Sequence, residues 1–349
     1  MSRAPILVIG GKFGIGSTEA GLAAGFRASG WGVQEVVIPH LSTDDAEQTV
    51  FKIGARLVRS VAPRGYVGKA IQACIDTRAD AFLTVKGTYI DLATLDYLRE
   101  LGVFTTIYYP DVDIKHEGLS VESLPGYDLF ITTKTFQLPF LENYLGADHV
   151  EYVPHGFVDS IHRPTWVGGG DIAYRSDLLH AGTRSEYKQR WLEQLLERDP
   201  SLDLLVAGRG WDAIPLGGRQ PTANTARSRS SVAYAETIQT SRVNIAIHAG
   251  PTASGQQDFV STRTFEIPAC AGFMLHIDNI EVREFFTPGV EIDVFSDVEE
   301  LHEKIAFYIS RQDLRLAMIA RAYNRCVPSY GYCARAGLIS KLIRDRLSR

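Results

Sequence analysis

Two cations four residues apart, Arg184 and Lys188, follow an apolar run that ends in Gly182-Thr183. On a helix that spacing sets them one turn apart on a single face. Such a pair could clamp a nucleotide diphosphate, whose two phosphates must be neutralised as the leaving group gains charge. A solvated helix start is the other reading. Seven residues lie between Asp258 and Glu266, and Glu266 stands between Phe265 and Ile267. A carboxylate in apolar surroundings is costly unless it is hydrogen-bonded, which suggests a task such as holding a ribose diol. A structural carboxylate capping a nearby loop is the alternative.

Three further candidates are weaker. Asp111-Val112-Asp113 has the DxD spacing that holds a divalent ion against a nucleotide diphosphate in metal-dependent glycosyltransferases. The pattern is common by chance, so an exposed loop competes with it; Asp111 remains a candidate for touching substrate without metal. Gly10-Gly11-Lys12-Phe13-Gly14-Ile15-Gly16-Ser17-Thr18 links a first strand to a helix, and its Gly14 and Gly16 could open backbone N–H groups to a ligand. It is neither a P-loop, which needs Gly-Lys-Ser/Thr, nor a dinucleotide fingerprint, because the sixth position from Gly14 is Glu19. His248 ends a strand, as a local hydrogen-bonding residue or as a site residue. The nine histidines include no HExxH, the four cysteines no CxxC, so no metal ligand set is expected.

These residues need a scaffold, and the hydrophobic pattern supplies one. Short β-branched runs alternate with longer amphipathic ones, the mark of βαβ units and parallel sheet. Strands are expected at Pro5–Gly10, Val33–Ile38, Ala81–Val85, Phe104–Tyr108, Asp128–Thr132 and Val150–Val153. A second series follows at Leu178–Ala181, Asp203–Val206, Val243–Ile247, Gly272–Ile277 and Ile292–Phe295. Amphipathic helices lie between them, with Asp91 as an N-cap and Gly102 as a stop. Between the halves, Pro154 to Gly170 reads as a linker, and Arg209 to Ser231 as a solvated connector or an anion-binding loop. The expected division is residues 1–160, 170–330 and a final amphipathic helix in 331–349. That helix either packs back on the first domain or lies on a membrane surface.

Composition narrows the function. The chain of 349 residues has 45% hydrophobic and 22% charged residues, which suits two globular α/β domains. A formal charge of −5 and no basic stripe argue against a nucleic-acid partner. No apolar run approaches the roughly 20 residues that span a bilayer, so a cytoplasmic protein is expected, with peripheral membrane contact left open.

The stretch Ser241 to Glu291, with Arg-Thr-Phe-Glu-Ile-Pro-Ala-Cys-Ala-Gly-Phe and then Glu284-Phe285-Phe286-Thr287-Pro288-Gly289, resembles the CgeB-like glycosyltransferases, grouped with the glycogen-synthase-like group 1 enzymes. Pro154 to Pro164 and Leu179 to Arg190 also resemble segments of that group. The resemblance implies a GT-B fold, two Rossmann-like doubly wound domains facing a cleft. It implies a nucleoside diphosphate sugar donor in the second domain, an acceptor (small molecule, glycan or other) in the first, and no cofactor or metal. The group's Glu-x7-Glu motif matches Asp258 and Glu266, the latter on ribose; Asp258 is one methylene shorter than the group's Glu. Arg184 and Lys188 match its diphosphate ligands, with one residue less between them. Arg263 falls in the donor motif, and Gly14 and Gly16 match the glycine-rich first loop. Retention of anomeric configuration follows from the same likeness. The rivals are an epimerase of the same fold, a two-domain ligand-binding protein and a nicotinamide oxidoreductase.

Overall fold

Ile6-Leu7-Val8-Ile9 is apolar on both sides of the chain, a pattern that only a strand covered on both faces can satisfy. In the computed structural model, which describes residues 3–38, 65–114, 118–165, 173–211, 216, 232–248, 250–252 and 255–348, Leu7, Val8 and Ile9 are fully buried. The chain divides into two units: residues 1–154 with 333–349, and residues 155–332.

Unit 1 is a six-stranded parallel sheet of β1 (Ile6–Gly11), β2 (Gly32–Val37), β3 (Ala81–Val85), β4 (Phe104–Tyr109), β5 (Leu129–Thr132) and β6 (Val150–Tyr152). Its order is β2-β1-β3-β4-β5-β6. The crossovers include α1 (Thr18–Ala28), α2 (residues 65–77), α3 (Leu92–Glu100) and α4 (Leu138–Leu145). Asp91 caps α3 by accepting from the Thr94 backbone N–H at 2.9 Å, and Gly102 follows the helix at φ +74°.

Unit 2 repeats the plan with β7 (Ser176–Ala181), β8 (Leu204–Ala207), β9 (Ser241–Ala246), β10 (Met274–Ile277) and β11 (Asp293–Phe295), all parallel, in the order β11-β10-β9-β7-β8. Around it stand α5 (Glu186–Arg198), α6 (Val232–Gln239), α7 (Thr262–Ala269), α8 (Ile280–Phe285), α9 (Val298–Ile309) and α10 (Gln312–Cys326). The expected strands are present with ends shifted by a residue or two. The six-residue α8 was not expected, because it is too short to show a helical period and depends on Asn279 accepting from the Val282 N–H.

The linker expectation needs a correction. Residues 155–164 belong to unit 2, where Phe157, Val158 and His162 are buried. Phe157 O accepts from Tyr332 N–H at 2.8 Å, so the segment is held by backbone pairing rather than left as a tether. The triple glycine Gly168-Gly169-Gly170 and nearly all of the 209–231 segment lie outside the described residues.

The final helix, α11 (Tyr332–Leu347), is part of unit 1 from Cys333 onward. Ala336, Ile339 and Ile343 are fully buried, and Trp31 Nε1–H donates to Ser340 Oγ at 2.7 Å. Arg344 donates to Ser29 O, and Arg346 pairs with Glu151 at 2.9 Å. Leu338 and Leu347 stay exposed. Ile343→Ala is expected to cost about 2–5 kcal/mol, read as a lowered denaturation midpoint, while Leu338→Ala stays within ~0.5 kcal/mol. Equal effects at the two positions would contradict this packing.

Candidate functional site

In an open parallel sheet, ligands bind beyond the carboxyl ends of the strands, where the strand order reverses. The reversal falls between β1 and β3 in unit 1 and between β7 and β9 in unit 2. Sequence candidates flank both points.

In unit 2, β7 runs into Gly182, and Ser185 caps α5 by accepting from the Lys188 N–H. The cap fixes Lys188 in the first turn, where its buried side chain folds back to donate to Thr183 O at 2.9 Å. Arg263, equally buried in the first turn of α7, reaches the same place. A methyl group on Gly182 would lie 2.8 Å from Arg263 Nη1 and 3.5 Å from Lys188 Nζ. Only a residue without a side chain leaves both cations against this backbone. Gly208 is constrained in turn, since its Cβ would lie 2.3 Å from Gly182 O, the atom that accepts the Trp211 indole N–H at 2.8 Å.

Arg184 takes another course. It is half-buried and its Nε donates to Gln189 Oε1 at 2.7 Å. The pair that meets at Gly182 is therefore Lys188 with Arg263, although Arg184 and Lys188 are the pair that sequence spacing suggests.

Two buried histidines, His180 and His276, lie near enough to these cations to feel their charge, and a third, His248, touches His276. His248, just past β9, has Nε2 2.8 Å from His276 Nε2. His276 Nδ1 lies 2.6 Å from Ile277 O and must donate to it, so its Nε2 accepts and His248 Nε2 carries the proton between them. The Thr264 hydroxyl is 3.0 Å from the same His276 nitrogen. Burial pushes His276 down to about 4, with Arg263 adding to the effect. Burial likewise holds His180 well below the usual histidine range, with Arg263 and Lys188 as further causes. Neutral rings leave the positive charge to the lysine and the arginine. His180 and His276 escaped the sequence reading; each is the one polar residue near the end of an apolar parallel strand, a signal that was legible.

Glu266 lies in the middle of α7, buried, with Oε2 accepting from the Tyr234 hydroxyl at 3.2 Å. His162 Nδ1 accepts the Val158 N–H, so its Nε2 carries the proton that faces Glu266 Oε1 at 3.9 Å. A carboxylate has about four acceptor positions, and these two contacts leave room for further donors. Asp258 is buried in the loop before α7.

In unit 1 the glycines of the first turn divide by cause. A Cβ on Gly10 would lie 2.2 Å from the Tyr66 hydroxyl, and one on Gly11 would lie 2.6 Å from Glu19 Cγ. These two serve packing. Gly14 has open space around it, and Gly16 takes φ +72°. The turn closes on itself, with Gly14 N–H donating to Ser17 Oγ. Glu19, which sequence reasoning used only to reject a fingerprint, is buried and accepts from the Lys12 N–H; burial raises its carboxyl above the usual range.

Asp111 lies just past β4, 2.6 Å from Lys86 Nζ at the end of β3. The loop is fixed by Gln137, whose amide donates to Asp111 O and Val112 O, and by the Tyr109 hydroxyl on Asp113 O. Among the described residues no group of three or more His, Cys, Asp or Glu is placed to hold a metal, and no helix is long and apolar enough to cross a membrane.

Residues 184–340 match a family model described as glycosyl transferase-like, a span that begins at Arg184 and contains Lys188, His248, Asp258, Arg263 and Glu266. A search of curated proteins found no significant match. Among solved structures, a glycosyltransferase from Rickettsia africae covers 100% of both chains at 11% identity with a TM-score of 0.67. Anabaena HepE in complex with UDP-glucose covers 98% of this chain and 100% of its own at 12% identity, TM-score 0.65. A candidate UDP-N-acetylglucosamine 2-epimerase from Listeria monocytogenes covers 99% and 97% at 13% identity, TM-score 0.52. Both units thus have the parallel-sheet Rossmann-like fold of GT-B glycosyltransferases, and the matched domain supports a transferase enzyme.

The buried histidines give a pH prediction. A histidine with a folded pKa near 4 and an unfolded value near 6.5 binds fewer protons when folded. Its neutral burial contributes stability above pH ~6.5 that is lost as pH falls towards 4, on the order of 3 kcal/mol for His276. Urea midpoints are expected to drop across that window, with a shallower slope in His276→Gln. An unchanged slope in the variant would exclude His276 as a source.

Proposed function

We propose that the protein transfers a sugar from a nucleoside diphosphate donor, held by unit 2, to an acceptor held by the first loops of unit 1. On this reading it works in the cytoplasm, without a bound metal and with retention of anomeric configuration. The observation that carries the proposal is the convergence of Lys188 and Arg263 on the Gly182 backbone at the reversal point of a parallel sheet. HepE, of the same fold, binds UDP and UDP-glucose, and the transferase-like match covers this region.

The roles follow from charge. The bond from the anomeric carbon to the β-phosphate oxygen breaks with its electron pair left on the diphosphate. The acceptor hydroxyl oxygen bonds that carbon from the same face, and the hydroxyl proton passes to the departing phosphate oxygen. Lys188 and Arg263 oppose that growing charge, with Arg184 at the rim, in surroundings of low dielectric where such contacts are strongest. Glu266 accepts the ribose hydroxyls. Asp258 lies near the sugar, His248 braces the cation pocket through His276, and Gly14 and Gly16 border the acceptor. Asp111 is a poor metal ligand, because the Lys86 ammonium beside it opposes a second cation. The epimerase of related fold gives the second reading, and turnover of a nucleotide sugar without acceptor is its signature.

Titration with UDP, GDP and ADP in EDTA tests the proposal. One of them is expected to bind the wild type. Lys188→Met and Arg263→Met should weaken it at least tenfold, since a charge-assisted hydrogen bond contributes about 1.5–3 kcal/mol. Glu266→Ala should cost a similar factor while the melting temperature falls less than for a core truncation. Variants that bind like the wild type would overturn the donor site, and strict need for Mn²⁺ would overturn metal independence.

A further inference from the structure

The turn after β3 is the most constrained segment near the reversal point of unit 1. Lys86 at φ +68° and Tyr89 at φ +66° are left-handed residues with side chains, and Gly87 between them is left-handed at φ +65°. Such clusters persist only where the surroundings over-determine them, and they gather at ligand sites. Here the surroundings do so. A Cβ on Gly87 would lie 2.8 Å from Ile107 Cδ1, and the Tyr89 N–H donates to Gly118 O at 2.6 Å. Lys86 N–H continues the sheet by donating to Tyr108 O.

That distorted backbone delivers one side chain, Lys86, to Asp111 at 2.6 Å, with the two side chains 33% and 38% exposed. An ion pair so open to water contributes little to stability, so the pair is not what holds the turn in this conformation. The carboxylate is positioned from its own side by Gln137 and Tyr109. The parallel neighbour of β3 is β1, which leads into the first turn, where Ile15 is 75% exposed between two glycines.

We infer that Lys86 and Asp111 form an acceptor-binding pair for a neutral, polyhydroxylated ring, with Ile15 offering apolar surface to the ring's C–H face. The inference rests on the donor reading above and adds the chemistry of the second substrate. An ammonium donates up to three hydrogen bonds and a carboxylate accepts several, so side by side they fit the vicinal hydroxyls of a sugar. Their charges cancel. A phosphorylated acceptor would meet no net positive charge here, so nothing offsets the hydration its phosphate loses.

The test uses the full chain saturated with whichever nucleoside diphosphate binds. Methyl glucoside, methyl galactoside, methyl mannoside and the corresponding sugar 6-phosphates are titrated by ligand-observed NMR. At least one neutral glycoside is expected to bind more tightly than its phosphate. Lys86→Met and Asp111→Asn should each weaken it tenfold or more, Lys86→Arg should retain most of the binding, and nucleotide affinity should stay within twofold in all three. Melting curves identify any variant that fails to fold, and Asp111→Asn alters only one charge. Glycosides that bind the variants like the wild type, or preference for the phosphates, would overturn the inference. Nucleotide binding with no neutral glycoside bound sinks it alone; no nucleotide binding sinks the donor reading and this inference together.

Discussion

Burying two cations against one stretch of backbone is the constraint around which unit 2 is arranged. Lys188 and Arg263 lose hydration there, a cost that only dipoles, anions or a charged ligand can offset. The Thr183 carbonyl meets the lysine, Gly182 and Gly208 give up side chains to make room, and Trp211 ties the Gly182 carbonyl from behind. The neighbouring histidines stay neutral, which avoids a third and fourth positive charge. The buried charges and the glycines cost the fold stability, and the two hydrogen bonds offset part of that cost. Together they make a place suited to an anion.

Parallel topology explains why such places arise where they do. Both sheets run with a single reversal of strand order, so each leaves a crevice between two adjacent crossovers. Unit 2 lines its crevice with buried charge. Unit 1 lines its own with a half-exposed, charge-neutral pair and a glycine turn. The two reversal points thus differ: one has desolvated cations beside it, the other a half-exposed pair of opposite charges.

The fold itself does not choose a reaction, since an epimerase candidate and several glycosyltransferases share it. The chain-specific residues carry that weight. Glu266 illustrates the balance: its contacts with Tyr234 and His162 would suit a structural carboxylate, yet they leave acceptor capacity on both oxygens.

The sequence by itself determined the strand and helix series, because apolar runs of four to six residues alternating with amphipathic ones admit little else than parallel sheet with crossovers. It also singled out Lys188, Arg263, Glu266, His248 and Asp111 as residues of note. Tertiary structure decided which of them meet. Helical spacing paired Lys188 with Arg184, but a side chain of four methylenes can fold back under its own cap, and there it meets an arginine seventy-five residues away in sequence. Lys86 was invisible as a site residue, because a lysine after a strand is ordinary in sequence. Its left-handed backbone and its contact with Asp111 depend on neighbours from three other segments of the chain. Local pattern follows from periodicity; long-range convergence is set by packing, and packing is not written in spacing.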